Sequence, residues 1–221
     1  PYQWGGQHFI NGPRLMESLG EMKREVLSEY NILTVGETPM VTTRDAIMFT
    51  HPETGVLNMV FQFEHMQLDV NLPERTPKGS WSLADLKAVM TRWQVDLQEA
   101  GWNSNYLNNH DQPRSVSRFG DDGRYRVESA KMLATFTHLL QGTPFVYQGE
   151  EIGMTNVAFE SIDEYRDIAT LNAYREFVSR GMDPQAVMAG VHISSRDNAR
   201  TPVQWDAGPN AGFTSGAPWI G

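Results

Sequence analysis

The sequence has no cysteine in its 221 residues. That excludes disulfide staples, thiolate nucleophiles and cysteine-built metal sites, and it fits a reducing, cytoplasmic setting. No apolar run approaches the roughly 18 residues that a membrane span needs, so no membrane partner is expected. Cations are scarce: 18 Lys and Arg stand against 27 Asp and Glu, a formal net charge of -9. Binding nucleic acid requires clustered Lys and Arg to displace counterions from phosphates, so nucleic acid is not an expected partner either. A neutral ligand is untouched by that exclusion. No basic-then-apolar leader precedes Pro1, and the chain reads as a piece cut from a longer protein. What is present is a 40% hydrophobic content, adequate for a packed core at this length.

Hydrophobic spacing alternates between two periods. Leu15, Leu19, Met22 and Val26 recur at helical spacing through residues 14–30. A short buried strand, ILTV at 32–35, then stops at Gly36-Glu37. A helix follows Thr42 or Thr43, and VLNMVFQF at 56–63 is the next strand. A polar loop containing Pro73 and Pro77 leads to Ser82, whose hydroxyl caps a helix with Asp85 three residues on. Leu83, Leu86, Met90, Trp93 and Leu97 form that helix's apolar stripe. SNYLNN at 104–109 reads as a third strand and residues 125–141 as a helix. FVYQ at 145–148, opened by Gly142-Thr143-Pro144, reads as a fourth strand. Strands alternating with helices in this way are joined by crossovers and run parallel.

Polar residues gather after each of these strands: Glu37 after the first, Glu64 and His65 after the second, His110 and Asp111 after the third, Gln148, Glu150 and Glu151 after the fourth. The carboxyl ends of parallel strands share one rim, where ligands bind in open α/β sheets and barrels alike. Carboxylates there suit general acid–base work, and a pair flanking a glycosidic bond is the usual glycosidase arrangement. Asn, Gln, Arg, His and Asp together, as in YLNNHDQPRS at 106–115, match hydroxyl-rich ligands, because each hydroxyl both donates and accepts. The competing reading is that such residues only cap the helices that follow.

Other chemistries lack their residues. Glu64-His65 has no second histidine in HExxH spacing, so a metal site is not expected. The six histidines are scattered, and His51, His138 and His192 read as surface or core residues. GEEIG has neither lysine nor phosphate-loop spacing, and no G-x-S-x-G elbow occurs. No cofactor is expected.

Four stretches, LTVGETP, NNHDQPRSVSRFG, GTPFVYQGEEIGMTN and RDNARTPVQW, closely resemble the α-amylase family of glycoside hydrolases. Within it they look most like the branch of oligo-1,6-glucosidases, dextran glucosidases and trehalose-6-phosphate hydrolases. The resemblance covers essentially the whole chain and implies an α/β fold of the (β/α)8 TIM-barrel type. Residues 1–221 would supply about the fifth to eighth strands and the following helical segment. The first half of the barrel and a C-terminal β domain would be absent, and the missing half would be the chain's structural partner.

Position by position, the resemblance implies that Glu37 is the general acid/base. Asp111 matches the second aspartate, which grips sugar hydroxyls and favours a distorted, oxocarbenium-like ring, and His110 matches its hydroxyl-binding neighbour. Arg196 matches an arginine holding the non-reducing terminal glucose, which makes the parent exo-acting. Arg114 matches the motif with two roles open, ordering its loop or touching sugar. The attacking aspartate follows the family's fourth strand, upstream of this chain, and the branch's calcium loop would lie upstream too. The implied parent is therefore a retaining α-glucosidase acting on α-linked gluco-oligosaccharides, isomalto- or malto-type, with the isolated chain inactive. Alternatives within the branch are a dextran glucosidase or trehalose-6-phosphate hydrolase; outside it, a non-catalytic binding module. Sucrose isomerases carry Arg-Leu-Asp-Arg-Asp where this chain has Gln67, Leu68, Asp69, Val70 and Asn71, which favours hydrolysis. A raised pKa in a recessed mouth is expected of the acid, and residues 155–198 are expected to frame the pocket.

Overall fold

The computed structural model describes residues 5–8, 10–71, 76–77 and 80–220. Expectations for Pro1–Trp4 and for the loop at 72–75 lie outside the described residues. The chain divides into two compact units: Pro1–Asn105 with Leu140–Pro144, and Tyr106–Leu139 with Phe145–Gly221.

The first unit holds the sheet. Strand β1 (Val35–Glu37) pairs in parallel with β2 (Met59–Phe61), putting Glu37 opposite Phe61. Within the intervening loop, β3 (Val70–Asn71) and β4 (Thr76–Pro77) form an antiparallel pair. Val60 bridges in parallel to Asn103, and β5 (Ser104–Asn105) pairs in parallel with β6 (Thr143–Pro144). The four parallel strands thus lie side by side in chain order, as alternating strands and helices require.

Each strand is shorter than its apolar run, for a local reason. The N–H of Thr34 goes to the Asn58 side chain at 2.8 Å instead of to a ladder partner. Ile32 and Leu33 are consequently exposed rather than buried. Val56 and Leu57 both donate to the Phe49 carbonyl at 2.8 Å, so β2 begins only at Met59. Residues 106–108 stay buried after β5 ends. At the fourth position the expectation fails outright: 145–148 is not a strand, because the Tyr147 N–H turns back to the Glu150 carboxylate at 3.1 Å. The ladder residues are Thr143 and Pro144 instead.

Around this sheet pack α1 (Leu15–Glu25), α2 (Thr43–Thr50) and α3 (Leu83–Leu97). Thr42 starts α2 with a reciprocal cap, its hydroxyl taking the Asp45 N–H at 3.2 Å and Asp45 taking the Thr42 N–H at 2.9 Å. Ser82 starts α3 by accepting from the Asp85 N–H at 3.4 Å. Leu86, Met90, Trp93 and Leu97 are buried as expected, Leu83 is exposed, and Val89 joins the core. Trp93 packs with Phe49, Val56, Val60 and Leu97 in the main cluster. Leu15 and Leu19 pack against it, while Met22 and Val26 remain open to solvent.

The second unit is helical: α4 (Ser115–Phe119), α5 (Arg126–Leu139), α6 (Ile168–Ser179) and α7 (Pro184–Ser194). Asp167 caps α6 by accepting from the Thr170 N–H at 2.9 Å. Asp183 caps α7, whose first residue is Pro184, where no N–H is needed. Among the described residues, no helix is long and apolar enough to cross a membrane.

Candidate active site

The first unit carries two strand-end carboxylates, and they are not alike. Glu37 is the last residue of β1 and its side chain is exposed, with no hydrogen-bond or ion-pair partner among the described residues. Its setting is open rather than recessed within this unit. Glu64 lies three residues past β2 and is committed to α3. The Trp93 indole N–H donates to Glu64 Oε2 at 2.9 Å, and the Arg92 guanidinium binds Oε1. Beside it, Gln62 is fully buried, bonding His65 Nδ1 at 2.7 Å and accepting from the Glu64 N–H. The second strand-end cluster is thus a joint between β2 and the Arg92 and Trp93 side chains of α3, not the helix cap of the competing reading, since Ser82 caps that helix.

In the second unit the polar stretch after β5 divides its labour. The Asn109 side chain accepts from the Asp111 N–H at 2.8 Å, closing a tight turn that aims the aspartate. Gln112 accepts from Arg118 at 2.7 Å. Asn108 is buried with neither amide atom partnered among the described residues. His110 is exposed, its Nε2 3.8 Å from Asp111 Oδ2.

Three of the named residues meet at Asp111. Arg196 Nε stands 3.6 Å from its Oδ1. Arg200, which sequence reasoning passed over, donates through Nη2 to the same oxygen at 2.6 Å and through Nε to the His110 carbonyl at 2.9 Å. The available signal was two arginines four residues apart in RDNAR, which a 3-10 turn over Arg196–Ala199 carries. Residues 195–200 follow α7 directly; of the 155–198 segment only Arg196 approaches Asp111, and the hydrogen-bonded arginine, Arg200, lies just beyond it.

Arg114 does not reach this group. It is fully buried, and its guanidinium donates to the backbone carbonyls of Gln148 at 2.6 Å, Asn198 at 3.0 Å and Ala199 at 3.5 Å. Its N–H donates to Asn156 Oδ1 at 2.9 Å. Burial pushes its pKa below the usual arginine value, against the opposing pull of Tyr147, Glu150 and Glu151. Burial likewise pushes the Glu150 carboxyl up, partly offset by the Tyr147 N–H and the Ser115 hydroxyl. Gly149 allows this loop to close: its φ is +86°, and an added Cβ would lie 2.4 Å from Met154 Sδ. Among the described residues no group of three or more His, Asp or Glu is placed to hold a metal ion.

Residues 3–221 match the family model described as alpha amylase, catalytic domain. The chain is 63% identical over 220 residues to the oligo-1,6-glucosidase of Parageobacillus thermoglucosidasius and 59% identical over 220 residues to that of Bacillus cereus. Each alignment covers 99% of this chain and 39% of the relative, so the chain spans about two fifths of the length of these proteins. Among solved structures, the trehalose-6-phosphate hydrolase of Bacillus licheniformis superposes with a TM-score of 0.92 at 47% identity, covering 100% of this chain and 40% of that one.

Proposed function

We propose that this chain, which belongs to the alpha-amylase family of catalytic domains, is part of a retaining, exo-acting α-glucosidase of the oligo-1,6-glucosidase kind. Its fold is of the TIM-barrel glycoside-hydrolase type. In the finer reading the chain is the second half of that barrel, and the four parallel strands in chain order support this. The substrate class, terminal α-linked gluco-oligosaccharides, is supported by relatives named oligo-1,6-glucosidase at 55–63% identity.

The observation that carries the chemical assignment is the contrast between two carboxylates: Glu64 is spent on Trp93 and Arg92, whereas the Glu37 side chain at the end of its strand has no partner among the described residues. Glu37 in this reading protonates the glycosidic oxygen as the bond breaks, then takes a proton from the water that releases the sugar. Asp111 accepts hydrogen bonds from sugar hydroxyls as the ring flattens, His110 binds a neighbouring hydroxyl, and Arg196 holds the terminal glucose. Arg114 orders the loops behind them. None of these residues is assigned the attacking carboxylate, which retention requires about 5 Å from the acid.

The test is hydrolysis of isomaltose and a nitrophenyl α-glucoside by the full-length protein containing this chain, with the first-formed anomer read by NMR. The α-anomer should appear first, and Glu37→Gln should cut kcat at least about 100-fold. Release of the β-anomer, or an unaffected Glu37→Gln variant, sinks the assignment. A second reading, trehalose-6-phosphate hydrolase, rests on the solved relative of that name; faster cleavage of trehalose 6-phosphate than of isomaltose would select it.

A further inference from the structure

Asp111 faces two arginines, and their settings differ. Arg200 makes two hydrogen bonds, to Asp111 Oδ1 at 2.6 Å and to the His110 carbonyl at 2.9 Å, and its Nη1 stands at the longer ion-pair distance of 3.8 Å from Asp167 Oδ1. Asp167 is itself held from several sides. It is buried, its Oδ2 accepts from both the N–H and the hydroxyl of Thr170, and its own N–H donates to buried Asp197 at 2.9 Å. Arg196 makes only the longer approach of 3.6 Å, and its side chain is 42% exposed against 28% for Arg200. A planar fork held by two hydrogen bonds has less freedom to rotate toward a ligand than one held by none.

We propose that Arg200 is the positioning residue of this site: anchored on the His110 carbonyl, with buried Asp167 at ion-pair distance behind it, it holds Asp111 by Oδ1 and leaves Oδ2 as the oxygen that meets substrate. Arg196 is thereby left available to a neutral polyol. The substrate half of this inference rests on the role given above to Asp111; the bracing itself is a property of the fold and is testable separately.

Two readouts on the full-length protein containing this chain decide it. For Arg200→Ala, kcat on a nitrophenyl α-glucoside should fall about 100-fold, the usual cost of misplacing a reacting group by an ångström, with KM changed less than about threefold. Added methylguanidinium should restore at least about tenfold of that loss, because it refills the fork. In the crystal structure of the variant the Asp111 carboxylate should move by about 1 Å or more. An unmoved carboxylate overturns the bracing, and a loss confined to KM, or one that methylguanidinium leaves untouched, overturns the positioning role. Should Arg200→Ala fail to fold, Arg200→Lys keeps the charge without the fork and is read by kcat, KM and the crystal structure in the same way. If the unsubstituted protein cleaves no α-glucoside, the glucosidase reading falls, and the carboxylate's place in the variant crystal alone judges the brace.

Discussion

Replacing Arg114 with methionine keeps most of its volume and removes its charge and every side-chain donor. Two of its side-chain bonds are short, to Gln148 O at 2.6 Å and Asn198 O at 3.0 Å, while the third, to Ala199 O at 3.5 Å, is too long to count fully. Hydrogen bonds from charged donors contribute about 1.5–3 kcal/mol each, so two represent about 3–6 kcal/mol. Relief of the buried cation's desolvation offsets part of this, which leaves a net loss of about 2–4 kcal/mol. For a chain of this size, each kcal/mol moves the melting midpoint by about 2–4 °C, so a fall of roughly 10 °C is expected. Urea unfolding followed by tryptophan fluorescence measures the free energy directly. Arg114→Lys should lose nearly as much, because one ammonium does not span carbonyls at 148 and 198. A loss below about 1 kcal/mol for Arg114→Met, or normal stability with a raised KM, would refute the loop-ordering account and return Arg114 to sugar contact.

Glu64→Gln should leave hydrolysis within about threefold and cost about 1 kcal/mol or less, since the Arg92 pair is partly exposed; a loss of turnover matching that of Glu37→Gln would reverse the two roles. Glu150, whose folded-state pKa is raised by burial, adds stability that is complete below the ordinary glutamate range and drains away as pH climbs through the raised value. The melting temperature of wild type relative to Glu150→Gln should therefore decline from acid toward neutral pH, and a flat difference would contradict the sign. Gly149→Ala should destabilise by about 2 kcal/mol or more, combining a positive φ with a clash at Met154; chemical denaturation at near-wild-type midpoint would show that the loop relaxes freely.

The helices were the legible part of the fold, because their signals are local. Ser82 with Asp85, and the stripe at Leu86, Met90, Trp93 and Leu97, depend on spacing alone, and they form as spacing requires. Strand limits depended on partners that spacing does not reveal. Nothing in ILTV announces that Asn58, 24 residues on, takes the Thr34 N–H, and nothing in FVYQ announces that Glu150 recaptures Tyr147. The site followed the same division. Glu37 and Asp111 were marked by their place after a strand, whereas the grip of Arg200 on Asp111 spans 89 residues of chain. Arg114 misleads for a further reason: arginine is seldom fully buried, and only carbonyls from separate loops make its burial tolerable.

The carbonyls that receive Arg114 also set an order of assembly. Gln148 lies 34 residues downstream and Asn198 lies 84, so a growing chain presents this cation long before its last acceptors have been synthesised. Domains emerge from the ribosome amino end first, at about 5–20 residues per second. The guanidinium therefore stays hydrated for several seconds after translation passes it, and the loop it anchors cannot close before residue 198 has emerged. A nascent chain stalled before residue 198 would leave that latch without its far catch, an easy target for proteases at residues that are sealed in the finished molecule.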